Sequence, residues 1–241
     1  AFAPGDTEES WLIQCGTAPT FESLSQTLWR NVYRDAEGNE YRVSACVIDA
    51  MGAPGRTKQV YAWCAQQGGR AMPFKGEQKM ATPVSYSPIE FFPDAKGSKI
   101  KIPGGVLLRR VDTTFFKGDL AEKLSVTPGD PGTFWLHANT VQQGIGEMGG
   151  ILADYAKEMC AEVFNPEKLI WENPHQRPNH FWDCEVMALV CAWELGIRNW
   201  ETPEPEPART EPAPMAAPAV PMPMQRPAPR SLADRLARLR R

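Results

Sequence analysis

The chain has 241 residues, enough for one good-sized domain and an appendage, and its composition is ordinary for a globular protein apart from 23 prolines. Its formal net charge is −3, and residues 1–200 carry 19 Lys and Arg against 24 Asp and Glu. That acidic balance argues against indiscriminate nucleic-acid binding through overall charge, while leaving room for a local basic groove or an acidic metal site.

No apolar run reaches the roughly 18–20 residues that span a membrane, and no charged-then-apolar leader is visible. The chain begins Ala1-Phe-Ala-Pro4 without a methionine and is expected to be a piece of something longer. Six cysteines, at 15, 46, 64, 160, 184 and 191, form no C-x-x-C pair and read as small buried thiols of a reducing compartment. The three histidines, His137, His175 and His180, are too scattered for a zinc cluster.

In chain order, Ser10 to Cys15 reads as a strand, and Phe21 to Tyr33 as an amphipathic helix with Phe21, Leu24, Leu28 and Val32 on one side. Asp35 to Gly38 is a turn. Tyr41 to Asp49 is a β-rich apolar run broken by Gly52. Arg56 to Gln67 is a helix, and Arg70 to Phe74 a strand closed by Lys75-Gly76. This β-α-β-α-β order predicts a largely parallel sheet with right-handed crossovers. Strand-like pieces follow near 99–102 and 106–111, then a helix over Thr113 to Leu124, in which Gly118 is a poor helix former. Phe134 to Leu136 is a short strand, Ile151 to Phe164 a helix, and Lys168 to Glu172 a strand. The helix from Asn179 to Gly196 is expected to bury Phe181, Trp182, Val186, Leu189, Val190 and Trp193.

Residues 201–230 hold ten of the prolines and are expected to form an extended, disordered linker. Ser231 to Arg241 then reads as a short basic helix, with Leu232, Leu236 and Leu239 on one face. Its alternatives are a solvated tail and a tethered docking helix.

Four side chains are candidates for chemistry. Asp49 stands at the carboxyl end of a central strand, the edge where ligands bind in α/β sheets. Asp183 lies in the first turn of the last helix, where the helix dipole favours an anion. It also shares a face with Val186, Met187 and Val190, and a carboxylate on a packed face needs compensation. A divalent cation shared with Asp49 supplies it, and acids with few histidines suit Mg²⁺ or Mn²⁺. Two such ions about 3.5–4 Å apart clamp attacking and leaving oxygens in phosphodiester cleavage. Glu185 points elsewhere. Lys75, at the end of a neighbouring strand, is a candidate for holding a phosphate, or a solvated loop lysine. Asp112 is a candidate helix cap and, secondarily, a metal ligand. No P-loop, G-x-S-x-G or dinucleotide fingerprint is present in the right context.

Four blocks in order resemble the nuclease domain of the lambda-type phage terminase large subunit, the GpA family. Pro4-Gly-Asp-Thr-Glu-Glu-Ser-Trp-Leu-Ile13 resembles its G-x-G-x-E-S-W-x-I pattern, and Val47-Ile-Asp-Ala-Met-Gly52 its D-S/T-G-G strand end. Met72-Pro-Phe-Lys-Gly76 resembles P-I-K-G, and Asn179-His-Phe-Trp-Asp-Cys-Glu-Val-Met-Ala-Leu189 resembles N-E-A-L-D-C-x-V-Y-A-L. Val111 to Thr114, the Ala161-Glu162 pair and Trp171 fit the intervening pattern more loosely.

The resemblance implies an RNase H-like α/β fold, a mixed sheet flanked by helices, and metal-dependent endonucleolytic cutting of concatemeric viral DNA during packaging. It places Asp49, Asp183 and Lys75 at the catalytic centre, with Mg²⁺ or Mn²⁺ as cofactor and two ions in the complete site. Double-stranded DNA, the terminase small subunit and the ATPase part of the same parent are the implied partners, and the bacterial host cytoplasm the implied location. The portal is the candidate partner of the C-terminal tail. The family's first metal-binding Asp precedes the first block, so residues 1–241 alone are expected to be a weak or inactive nuclease. Two other readings stay open: a non-catalytic packaging module docking through its tail, and an RNase H-like nuclease acting on branched DNA.

Overall fold

The computed structural model describes residues 1–52, 55–93, 99–136 and 149–201, with the backbone alone at 6 and 149–153. The linker and terminal helix expected over 201–241 lie outside the described residues from 202 onward, as does His137.

The centre is a four-stranded mixed sheet of β4 (Cys46–Asp49), β5 (Ala71–Glu77), β6 (Val84–Phe91) and β7 (Lys101–Asp112), in the order β4-β5-β7-β6. β4, β5 and β7 run parallel, and β6 pairs antiparallel with β7 at the edge. The sequence reading missed β6, because Pro88 lies in the middle of it. An edge strand tolerates a missing ladder donor where a central strand does not. The pieces expected at 99–102 and 106–111 are one continuous strand. Lys75 and Gly76, expected to close β5, continue it: Gly76 faces Val111 across the ladder.

Three further corrections concern pairing. β1 (Ser10–Leu12) does not join the central sheet but pairs parallel with β8 (Phe134–Leu136). The run from Tyr41 to Asp49 is two elements: β3 (Glu40–Tyr41) forms a small antiparallel pair with β2 (Tyr33–Arg34), and the chain reaches the sheet only at Cys46. The helix expected over 151–164 is α4 (Gly149–Met159). The chain then turns into an antiparallel pair of β9 (Val163–Asn165) and β10 (Ile170–Glu172), where Val163 and Phe164 satisfy strand rather than helix preferences.

Helices cover both faces of the sheet. On one side lie α1 (Phe21–Arg30) and α2 (Arg56–Gln66). α1 starts with a reciprocal capping box between Thr20 and Ser23. Its half-buried Phe21, Leu24 and Leu28 pack on a core holding Val60, Trp63, Cys64, Ala71 and Leu108. On the other side lie α3 (Thr113–Ser125) and α5 (His180–Leu195), whose Phe116, Leu120, Trp182, Val186 and Val190 meet Phe74 and Val111 of the sheet. Burying each of these large side chains contributes about 1.5–3 kcal/mol, so α5 is firmly seated. α5 ends at Gly196, whose φ of 63° is the left-handed cap that a glycine adopts without a Cβ penalty. Phe181 is only half-buried and Trp193 is 44 % exposed, against the expectation that both are core.

All six cysteines are free, but Cys160 and Cys184 are exposed rather than buried. Burial pushes the Cys46 and Cys64 thiols up to about 12, which keeps them unreactive. Among the described residues, no helix is long and apolar enough to cross a membrane.

Candidate metal centre

Asp49 is the last residue of β4, which is an edge strand of the four-stranded sheet and not the central strand expected. Side chains alternate along a strand, and partners in register share a face. Asp49 is the register partner of Phe74, and Val47, two residues earlier, packs with Phe74 in the α3/α5 core. Asp49 therefore belongs to the face that α5 covers, at the point where the apolar layer gives way to solvent. Its Oδ1 accepts the Met51 backbone N–H at 2.8 Å, which turns the chain after the strand. The ladder carries on for one residue, with Ala50 N–H donating to Phe74 O at 2.9 Å, and Thr57 Oγ1 of α2 donates to Ala50 O at 2.6 Å. Together they hold the strand end on both sides.

Asp183 comes from the opposite end of the sequence, on α5, the helix that packs on β4. It lies in the first turn, with its side chain 46 % exposed. Its carboxyl is held above the ordinary Asp range. Burial is the main cause. The Lys117 ammonium pulls the value back down, while the Glu162 and Asp49 carboxylates push it up. The Asp49 contribution is the smallest of these.

A charged cradle holds Asp183. Lys117 of α3 lies with its Nζ 2.8 Å from both oxygens of Glu162 and 3.3 Å from Asp183 Oδ1. Asn179 Nδ2, just before α5, donates to Glu162 Oε1 at 2.7 Å and to Asp183 Oδ2 at 3.2 Å. The side chains of Lys117 and Glu162 are only 12 % and 5 % exposed. Lys117 was not among the sequence candidates. Its available signal was a lysine wedged between Phe116 and Gly118, one helical turn after the Asp112-Thr113 cap. Glu162 and Asn179 stood inside the family blocks without an assigned role.

The other candidates go elsewhere. Lys75 follows Phe74 on β5, so alternation places it on the face opposite Asp49, in register with Arg110. It pairs with Glu77 at 2.8 Å, and Arg110 grips the same carboxylate at 2.6 Å. These two partners, Arg110 foremost, hold Glu77 down at about 2. Asp112 is the N-cap of α3: its Oδ1 accepts the N–H groups of Thr114 and Phe115 at 2.9 and 3.2 Å, and its Oδ2 accepts Met80 N–H at 2.8 Å. Glu185 turns away from Asp183 and accepts the Tyr155 hydroxyl at 3.1 Å, with its carboxyl raised by burial.

Hard carboxylate oxygens at an exposed edge are the donor chemistry of Mg²⁺ or Mn²⁺, and Mg²⁺ commonly takes one or two carboxylates and keeps several waters. Asp49 and Asp183 fit that pattern. No group of three or more His, Cys, Asp or Glu able to hold a metal occurs among the described residues.

The fold is a mixed α/β domain with Asp49 at the end of a parallel strand and Asp183 in the first turn of the helix that packs on that strand. The chain belongs to the family of the terminase large subunit gpA endonuclease domain, whose model matches residues 1–202. No curated protein and no solved structure matches it.

Proposed function

We propose that this chain is the DNA-cutting part of a phage terminase large subunit, that it cleaves concatemeric double-stranded DNA during genome packaging, and that Asp49 and Asp183 hold the Mg²⁺ or Mn²⁺ it requires. Membership of an endonuclease-domain family supports the activity, and the same kinship supports reading the sheet as an RNase H-like core. The observation that carries the residue assignment is the seating of α5, which bears Asp183 in its first turn, on β4, the strand that Asp49 ends.

A bound divalent ion supplies Lewis acidity toward a phosphoryl oxygen and a more acidic water. The chain's own residues supply the rest. Asp49 is held by Met51 N–H at a strand end, and Asp183 is held by Lys117 and Asn179. Asp112 acts as a helix cap, with both its oxygens engaged. Lys75 faces Glu77 on the other side of the sheet and is left out of the site.

The assay uses a large subunit that carries this domain. Given Mg²⁺ or Mn²⁺ and linear duplex DNA, it cuts, and Asp49→Ala or Asp183→Ala abolishes cutting. Undiminished cutting by both variants refutes the assignment, and cutting of branched junctions in place of linear duplex redirects it to a recombination nuclease.

A further inference from the structure

The segment that leads into α5 carries chemistry that the metal centre does not use. β10 ends at Glu172, and from Asn173 to Trp182 the chain holds no acid, one arginine and two histidines. It begins with a tight turn: Gln176 N–H donates to Asn173 O at 3.1 Å, and Pro174 takes the position whose φ a proline presets. The Asn173 side chain then clamps Arg177 by both of its backbone groups. Its Oδ1 accepts Arg177 N–H at 2.9 Å, and its Nδ2 donates to Arg177 O at 2.6 Å. Pro178 biases Arg177 toward extended backbone. Asn179 ties the run to Asp183 twice: Asp183 N–H donates to Asn179 O at 3.0 Å, and Asn179 Nδ2 donates to Asp183 Oδ2 at 3.2 Å.

The backbone is fixed while the side chains stay uncommitted. His175 and Arg177 are exposed, and neither side chain has a hydrogen bond or ion pair among the described residues. Neighbouring cations are engaged: Lys117 with Glu162, Lys168 with Glu172 and Arg109 with Glu194. Two Cα–Cα steps of about 3.8 Å keep Arg177 within about 7.6 Å of Asn179, whose side chain touches Asp183. In a body with more acids than bases, a free guanidinium on a rigid support beside Asp183 is complementary to a phosphate, whose oxygens its fork meets with two parallel hydrogen bonds. Binding orders little that is not already ordered by the clamp and the two prolines.

Resting on the DNA-cutting reading above, we propose that Arg177 is a DNA-positioning residue: it grips a backbone phosphate of the duplex next to the one presented to Asp183, with His175 at the turn as a second donor. Such a contact sets where the duplex lies on the protein and reads no sequence.

The test is binding of a linear duplex to the full chain, read by fluorescence anisotropy in EDTA over a series of NaCl concentrations. Each phosphate contact contributes close to one unit to the slope of log K against log[NaCl]. Arg177→Ala binds about tenfold more weakly, whatever the duplex sequence, and its slope is smaller by about 1. Its Tm is that of the wild type, because the Asn173 clamp uses only the backbone of residue 177. Arg177→Lys keeps the slope but loses the fork, so its affinity falls between the two. Arg30→Ala removes the same charge from the exposed end of α1, on the opposite side of the sheet, and keeps both wild-type values. Wild-type affinity and slope in Arg177→Ala overturn the proposal, as does an equal loss in Arg30→Ala. A wild type that binds no duplex removes the DNA-cutting reading and this proposal with it, a result distinct from an unaltered Arg177 variant.

Discussion

Asp112→Ala separates a structural acid from a metal ligand. The Asp112 residue is 8 % exposed, and its carboxylate accepts three backbone N–H groups, two at the start of α3 and one from Met80 in the loop between β5 and β6. Loss of a helix cap costs about 0.5–2 kcal/mol. Loss of a further hydrogen bond to a charged group costs about 1.5–3 kcal/mol. These losses overlap, and about 3 kcal/mol is the expected sum. For a domain of this size that is a fall in Tm of about 6–12 °C. Asp112→Asn keeps the oxygen that caps α3 but turns an amide toward Met80 N–H, so it loses less. Thermal unfolding in EDTA reads the loss, and Mn²⁺ titration is expected to show unchanged affinity in both variants. An Asp112→Ala protein that melts within about 2 °C of the wild type, or one that keeps its stability and loses Mn²⁺ binding, refutes the reasoning.

Two other perturbations follow from the charges. Because the folded Asp183 carboxyl lies above its unfolded value, its protonated form favours folding; that stability is full below the unfolded value and lost as pH rises through the folded one. Asp183→Asn is therefore expected to melt at or above the wild type in EDTA at neutral pH, with the gap closing as pH falls toward about 4; a lower Tm at neutral pH contradicts this. Glu77 is the opposite case: its value is depressed to about 2, so its contribution is present above its unfolded value and fades as pH falls toward 2. Lys75→Ala should raise the Glu77 value seen by carboxyl-carbon NMR without altering Mn²⁺ affinity, and an unmoved Glu77 titration, or weakened Mn²⁺ binding, argues against the placement of Lys75.

What the sequence made legible follows from local patterns. The strand into Asp49 and the helix carrying Asp183 stand out, because an apolar run ending at Gly52 and a helical apolar stripe are short-range signals. β6 was hidden, because Pro88 forbids a central strand and nothing local marks an edge. The parallel partner of β1 was equally hidden, since Phe134 to Leu136 lies more than a hundred residues away. Lys117 escaped for the same reason. Its meaning depends on Glu162 and Asp183, 45 and 66 positions later, and only the packing of α3 against α5 brings the three together. Lys75 became a candidate because its block fits the family pattern, whereas its face is set by strand alternation and the register with β4, which turn it away from Asp49.

The central claim is that Asp49 and Asp183 share one cation, and Mn²⁺ binding to the Asp49→Asn and Asp183→Asn chains tests it most directly. The account predicts that either substitution alone removes the bound ion while the fold, read by circular dichroism, persists. Wild-type Mn²⁺ affinity in either variant contradicts it.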